Sequence, residues 1–342
     1  MQEYPPPYYT AGDPVRLFYR EGRRDVRWTV MGLGFLVLMV LALLQYLPQA
    51  MVSLLPMMGY DSAGRFSDFG GIEPSLYFLI SCGATAVSMI LPCFLYMAVF
   101  RVPVSRVLPS RRVHPLFFLS LFFIGVALTL AANIPNNWFY QWIESMVPIP
   151  SNPSGIPSGG GGGGSSLTTM GLVLYFVRST VVPMFFEELI FRGVLLGQLR
   201  RFGDGFAVFT TALLFGMFHE NLPQILFAFL AGLVFGYMVV KTDNIWLAIC
   251  VHFTNNAIAT LPTCLSFFLD SGQVDAVRTG IFFVVFLMAV LGGIYLLVQR
   301  TKFFRLRMAV HPLPLRVRMG GFFSSVGILL LLAVNVWRTI WG

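Results

Sequence analysis

The sequence has little charge. Only 11% of its 342 residues are Asp, Glu, Lys or Arg, whereas about 25% is usual for a soluble domain. Hydrophobic residues make up 56% of the chain, aromatic residues make up 15%, and the mean hydropathy is +0.75. This composition excludes an ordinary soluble domain and indicates a polytopic membrane protein.

Cysteine is also scarce. The four cysteines, Cys82, Cys93, Cys250 and Cys264, lie in or beside apolar runs, and no two of them have CxxC spacing. Such residues are most often small buried hydrophobes. The spacing therefore argues against both a disulfide framework and a thiolate metal site.

Long apolar runs are what the sequence has in place of charge. A bilayer core about 30 Å thick needs roughly 20 apolar residues for each helical span. Runs of about that length lie at residues 28–48, 75–99, 115–134, 168–190, 206–220, 223–240, 245–262, 279–299 and 321–340. The fifth and sixth runs are short and are separated only by NLP. We therefore predict an all-α bundle of eight to nine transmembrane helices.

Every second connection between these runs is basic, whereas the connections at 49–74, 135–167 and 263–277 carry almost no Lys or Arg. By the positive-inside rule, the N-terminus is predicted to be cytoplasmic and, with nine spans, the C-terminus to be outside. The net charge of +8 then reflects topology, with the lipid bilayer as partner and no nucleic acid. Short loops and the lack of an organelle-targeting signal favour a bacterial plasma membrane.

Composition also predicts how the chain is divided. Residues 1–27 form a Pro-, Tyr- and Arg-rich cytoplasmic tail, and residues 28–150 form a three-span region. Residues 151–166 form a Gly/Ser linker that cannot pack a core. Residues 167–265 are the predicted catalytic core, and 266–342 form the C-terminal spans. The core holds nearly all of the polar residues within apolar runs.

Three clusters of polar residues interrupt the apolar runs after the linker. Ionisable groups within spans usually face the interior of the bundle and mark a functional site. The clusters are Glu187, Glu188 and Arg192 in FFEELIFRG, His219 in FGMFHEN, and His252 with Asn255 and Asn256 in VHFTNNA.

Helical geometry separates the members of the first cluster. Glu188 and Arg192 are at positions i and i+4 and can neutralise each other. Glu187 projects about 100° away from this pair and has no local counter-charge. An unpaired carboxylate in an apolar environment suits the role of a general base. The alternative is that all three lie near the headgroups, where Arg192 snorkels and both glutamates are hydrated.

The second and third clusters favour the chemical interpretation. His219 alone is typical of a helix end. His252 and Asn256, however, share one helix face inside an apolar run. Two histidines and a carboxylate from separate spans are a familiar set for activating water, with or without a metal. An amide beside a histidine can hold an oxyanion. Together they predict a hydrolase site in the membrane.

These residues carry a resemblance to a known family. EELIFR fits an EExxxR motif, Phe215 to His219 fits FxxxH, and His252 to Asn256 fits HxxxN. In this order on successive membrane helices they resemble the CPBP family of intramembrane proteases, named for CAAX proteases and bacteriocin-processing proteins and also called the abortive-infection family. The resemblance covers roughly residues 168–265.

The resemblance implies an eight-helix core and glutamate-dependent cleavage of peptide bonds in a peptide or protein substrate. Carried over, Glu187 and His219 activate a water, and His252 and Asn256 hold the oxyanion. Glu188, Arg192 and Phe215 then support the site. Glu187, His219 and His252 could also coordinate Zn²⁺, so the metal requirement stays open.

Other protease signatures are missing. His219 and Glu220 begin an HExxH motif, but position 223 is proline, so the zincin helix is absent. The Ser-Gly pairs lie in the linker, unlike a rhomboid serine, and Asp204 lies in a basic loop, unlike an intramembrane aspartyl residue. A proton-coupled transporter and a non-catalytic scaffold or immunity protein remain alternatives.

One geometric difficulty accompanies the prediction. If the fourth span ends near residue 190, Glu187 lies near the cytoplasmic end of its helix, while His219 lies toward the outer side of the next helix. The two residues then meet only if the fifth helix is tilted, displaced inward, or begins outside the hydrocarbon core.

Overall fold

A computed structural model describes residues 14–55, 57, 72–146, 167–220, 222–299 and 311–341. These residues form an all-α bundle, as predicted. The first part of the chain contains α1 (Pro14–Leu54), α2 (Pro74–Val99), the short α3 (Val104–Val107), α4 (Pro115–Ala131) and α5 (Asn133–Glu144). The second contains α6 (Thr169–Phe176), α7 (Val182–Glu188), α8 (Leu196–Leu199), α9 (Asp204–Phe218), α10 (Leu222–Thr242), α11 (Ile245–Leu265), α12 (Ser271–Val298), α13 (Leu315–Phe323) and α14 (Val326–Trp341).

Seven helices in the described ranges are long and apolar enough to cross a membrane, and an eighth span results if α13 and α14, bent by 61°, are counted together. All nine predicted apolar runs are helical, but nine spans exceed this count. The difference lies in α9, whose 15 residues reach about 22 Å, less than the thickness of the hydrocarbon core.

The exposed surface is apolar, as expected of a bundle surrounded by lipid. On α12, for example, Phe283, Phe286 and Leu297 are 67%, 68% and 74% exposed. Contiguous apolar patches of this kind are rare on the surface of soluble monomers. They therefore support an integral membrane protein.

The predicted cytoplasmic tail is partly helical. Helix α1 begins at Pro14 and continues into the first span, because Pro suits the first turn of a helix and the Arg- and Glu-rich residues that follow form helices readily. Residues 1–13 of the tail and the whole 151–166 linker lie outside the described residues.

The helix that carries EELIFR is a composite rod. Two π-helical stretches, Val177–Val181 and Leu189–Leu195, join α6, α7 and α8. The rod continues through a 3₁₀ turn to Phe202. Single π-helical turns within α-helices occur frequently at functional sites. Pro183, at the start of α7, lacks the N–H of a regular helical bond, which fits the irregularity before it.

A tight turn joins this rod to α9. Gly203 has a φ of +106°, a conformation that residues with a Cβ rarely adopt. The chain therefore reverses directly between Phe202 and Asp204. This turn makes the rod and α9 antiparallel neighbours.

Candidate active site

The turn at Gly203 brings the first two motifs to the same level. Glu187 lies about 22 Å from the Phe202 end of the rod, and His219 lies about 22 Å from the Asp204 end of α9. The rings of Phe191 and Phe218 are 5.2 Å apart, so the two helices are in contact here. The expected difference in depth was wrong, because the fourth helix does not end at residue 190 but continues to Phe202.

The predicted pair of Glu188 and Arg192 is confirmed. Arg192 Nη1 donates to Glu188 Oε1 at 2.8 Å, and both side chains are 0% exposed. The guanidinium group lies over the rings of Phe215 and Phe235, at 4.3 and 4.8 Å from their centroids. A fully buried Arg192 does not snorkel to the headgroups, so that alternative does not hold for this residue.

His252 contacts both glutamates. Its Nδ1 lies 2.9 Å from Glu188 Oε1, and its Nε2 lies 3.9 Å from Glu187 Oε2. A carboxylate paired with arginine only accepts hydrogen bonds, so Nδ1 carries a proton and donates it to Glu188. Glu188 therefore orients His252 as well as neutralising Arg192, a role that helical spacing alone did not reveal.

The imidazole is also held by aromatic contacts. Its ring stacks on Phe235 at a centroid distance of 5.2 Å and meets the edge of Phe215 at 6.0 Å. Phe215 therefore touches both Arg192 and His252. This supporting position agrees with the part that the FxxxH motif implied for it.

Glu187 is buried, and in the described part of the chain its Oε2 has no hydrogen-bond partner. Because the charges of Glu188 and Arg192 cancel, Glu187 and His252 have two arrangements without net charge. One is a carboxylic acid beside a neutral imidazole, and the other is a carboxylate beside an imidazolium. Both arrangements avoid an uncompensated buried charge, which is costly, and they differ by the transfer of one proton.

His219 approaches from the end of α9. Its Nδ1 lies 2.9 Å from the carbonyl oxygen of Phe215, which can only accept, so Nδ1 carries the proton and Nε2 is unprotonated in the neutral ring. His219 and Glu187 are not within ion-pairing distance of each other; of the described residues, His252 alone is that close to Glu187. His219 therefore forms no direct ion pair with Glu187, unlike His252.

A cavity of about 860 Å³ lies next to these residues. Its polar wall consists of amides, one histidine and one arginine, namely Asn133, Asn136, Asn137, His219, Gln224, Asn255, Asn256 and Arg278. Phe282, Val285 and Phe286 of α12 contribute an apolar wall. Glu187 and His252 are not among the residues that line it. The amides from α5 and α10 were not anticipated as part of the site.

The residues as arranged do not fit a zinc site. No group of three or more His, Cys, Asp or Glu side chains in the described ranges has an arrangement that could hold a metal ion. The candidate zinc ligands Glu187, His219 and His252 therefore do not form a coordination set as they are arranged among the described residues. The Nδ1 atoms of the two histidines are bonded to Glu188 and to the Phe215 carbonyl, so Nε2 is the atom that each ring would offer to a metal.

Comparisons with known proteins support the resemblance seen in the motifs. The family model described as "Type II CAAX prenyl endopeptidase Rce1-like" matches residues 169–258. The Bacillus subtilis (strain 168) protein named "Putative membrane peptidase YdiL" is 28% identical to this chain over 89 residues, which are 26% of this chain and 36% of that protein. The chain thus matches little more than a third of the length of this curated relative. No solved structure matches significantly.

The matched segment contains all three motifs, from α6 to α11. The resemblance to the CPBP family of membrane proteases is therefore confirmed for this part of the chain. Residues outside 169–258 are not covered by the family match.

Proposed function

We propose that this chain is an intramembrane endopeptidase that hydrolyses peptide bonds of a peptide or protein reaching it from the bilayer. The observation that carries the proposal is the buried pair of Glu187 and His252, 3.9 Å apart beside a cavity of about 860 Å³. The similarity of residues 169–258 to a CAAX prenyl endopeptidase family supports the same reaction class.

Glu187 acts as the general base. The distance of 3.9 Å between Glu187 Oε2 and His252 Nε2 is too long for a direct hydrogen bond, so Oε2, which has no partner among the described residues, can hold a water at about 2.8 Å. Glu187 takes a proton from this water as its oxygen attacks the carbonyl carbon of the substrate. The unprotonated Nε2 of His219 is the second acceptor for the water. The proton on Glu187 then passes to the leaving amine as the C–N bond breaks.

His252 and Asn256 hold the oxyanion. Because Nδ1 donates to Glu188, His252 can donate to the oxyanion from Nε2 only as an imidazolium. Of the two arrangements without net charge, the one with a Glu187 carboxylate would therefore supply both a base and a donor. Asn256 lies one helical turn after His252 and lines the cavity, where its amide N–H can donate to the same oxygen. One such donor typically contributes about 10²- to 10³-fold to the rate.

The cavity is the proposed position of the substrate. The amides of Asn137, Gln224 and Asn256 can pair with the N–H and C=O groups of an extended peptide, which otherwise remain unsatisfied in a membrane. Its apolar wall on α12 faces the rest of the substrate. The site residues thus serve a peptide held along α5, α10 and α11.

The proposed setting is a bacterial plasma membrane with the N-terminus in the cytoplasm. The alternation of basic and neutral connections supports this orientation. Cysteine accessibility at position 16 and at position 272, on opposite predicted sides, tests it directly.

The test of the function replaces Glu187 by Gln, which preserves size and removes the base. Peptide termini in membrane and secreted fractions are compared between cells expressing the wild type or Glu187→Gln at matched protein levels. Glu144→Gln, the same chemical change at an exposed position of α5, is the control. New termini that appear with the wild type and the control but not with Glu187→Gln are the expected result.

Equal termini in all three strains would contradict proteolysis. If deletion of the protein still has a phenotype that Glu187→Gln rescues, the chain is a scaffold or immunity protein. If Glu187→Gln fails to rescue although no termini change, a proton-coupled transporter becomes the better hypothesis.

A further inference from the structure

A basic cleft lies between the N-terminal part of α1 and α13, away from the candidate active site. It has a volume of about 930 Å³. Five arginines line it, Arg20, Arg23, Arg24, Arg27 and Arg316, together with a single acidic residue, Glu21. The proposed protease mechanism uses none of them.

The α1 arginines share one helix face. Positions 20, 23, 24 and 27 follow the i, i+3, i+4, i+7 spacing of neighbours along a helix. Like charges at this spacing repel one another, and Arg316 adds a positive charge from the opposite wall. The cleft therefore concentrates positive charge.

The described chain does not neutralise this charge. Arg20, Arg23, Arg24, Arg27 and Arg316 form no salt bridge within the described residues, whereas the nearby Asp25 pairs with Arg201 at 3.0 Å. Arg318, two residues after Arg316, points inward and donates to the carbonyl of Phe202. The cleft arginines thus have no carboxylate partner within the described residues, and the α1 carboxylate of Asp25 is taken by Arg201.

The cleft is preformed by close packing of α1 on α13. A Cβ on Gly321 would lie 2.9 Å from the carbonyl oxygen of Arg23, so the two backbones approach as closely as a glycine allows. The α1 residue Val26 is fully buried. The arginines are thus presented from two fixed walls, which lowers the ordering cost of binding a ligand.

Apolar side chains accompany the arginines of the cleft. Leu17 and Val317 line the cleft beside the arginines, and Trp28 and Leu315 are 55% and 56% exposed at its borders along the chain. Aromatic residues are enriched where a span meets the headgroups. This neighbourhood suits a phosphate that is attached to acyl chains better than a phosphate in solution.

We propose that this cleft binds the phosphate of an anionic phospholipid headgroup. The planar guanidinium of arginine binds phosphate oxygens in a bidentate manner, and basic pockets between membrane helices are known to bind anionic headgroups. The site is independent of the proposed proteolysis. Binding of the lipid joins α1 to α13 through a ligand rather than through an ion pair.

The test measures lipid binding to the purified full-length chain in neutral detergent by native mass spectrometry. Phosphatidylglycerol is compared with phosphatidylcholine. The variant Arg20→Gln/Arg24→Gln/Arg316→Gln is compared with Arg106→Gln/Arg111→Gln/Arg112→Gln, which removes the same charge at exposed positions outside the cleft. The wild type and the control should bind phosphatidylglycerol at least about tenfold more tightly than phosphatidylcholine, and the cleft variant should lose this preference.

Three results would overturn the proposal. Equal loss in both triple variants would show diffuse attraction to charge instead of a site. Competition by inorganic phosphate as strong as that by phosphatidylglycerol would identify a soluble phosphate ligand. If the cleft variant fails to fold, the Arg→Lys triple replaces it. This triple keeps the charge but not the bidentate geometry, so it should lose part of the preference, and an unchanged preference would again indicate diffuse attraction.

Discussion

The arginine inside the bundle and the arginines of the cleft differ in what balances their charge. Arg192 is buried, pairs with Glu188 at 2.8 Å, and is covered by two phenylalanine rings. The cleft arginines are exposed and form no salt bridge in the described part of the chain. An arginine neutralised within the protein supports structure, whereas a group of arginines left without carboxylates is available to an external anion.

Removing Arg192 should have the largest effect. Arg192→Ala leaves Glu188 buried without its cation, and breaking a buried ion pair typically costs about 3–5 kcal/mol. Arg24→Ala should leave the free energy of unfolding nearly unchanged or slightly raised, because it relieves repulsion on α1. The yield of monodisperse protein and thermal unfolding in detergent measure both effects.

A double variant sharpens this contrast. Glu188→Gln/Arg192→Met removes both charges and should destabilise the protein less than the sum of the single variants Glu188→Gln and Arg192→Met. An Arg192→Ala protein that assembles normally but is inactive would instead assign Arg192 to the chemistry.

An ion pair between these extremes should have an intermediate effect. Arg338 of α14 pairs with Glu220 at 2.8 Å and donates to Gln45 of α1 at 3.0 Å. Glu220 directly follows His219, and its φ is +46°. Arg338→Gln should therefore lower stability by about 1–3 kcal/mol and reduce activity in part, because the turn that carries His219 loses its support.

The effect of Arg338→Gln should depend on pH. Burial raises the pKa of Glu220, and Arg338 opposes this shift. Without Arg338 the pKa rises further, so the ionised form is the one that destabilises the fold. The stability deficit should be full above the raised pKa and should shrink as the pH falls through it. A stability deficit of Arg338→Gln that grows on acidification would contradict this role of Glu220.

Asp25→Asn, which breaks the exposed pair with Arg201, should cost less than about 1 kcal/mol.

The sequence was sufficient for features set by local spacing. All nine apolar runs correspond to helices, and Glu188 and Arg192 pair as positions i and i+4 predict. The fourth helix was predicted to end too early, because a charged residue, Arg192, interrupts the apolar run. In the structure this charge is neutralised inside the protein by Glu188. A hydropathy pattern cannot distinguish a charge at the membrane surface from one that is paired in the interior.

Contacts between distant segments explain the rest. Glu187 had no local counter-charge in the sequence, yet His252 approaches it from α11. The π-helical stretches at Val177–Val181 and Leu189–Leu195 are too short to produce a recognisable periodic pattern in the sequence. Asn133, Asn136 and Asn137 line the cavity because α4 and α5 pack beside α10 and α11, which the spacing within each helix does not reveal.

The smallest effect is expected from metal removal. Glu187, His219 and His252 are not arranged as a set of ligands that could hold a metal ion among the described residues. Dialysis against a chelator should therefore leave cleavage unchanged, and elemental analysis of the purified chain should find zinc well below one ion per protein. Stoichiometric zinc that is lost in both Glu187→Gln and His219→Gln, together with activity restored by added zinc, would instead mean that Glu187, His219 and His252 close around an ion. In that case the internal neutralisation proposed for Glu187 would depend on a metal cation in addition to His252.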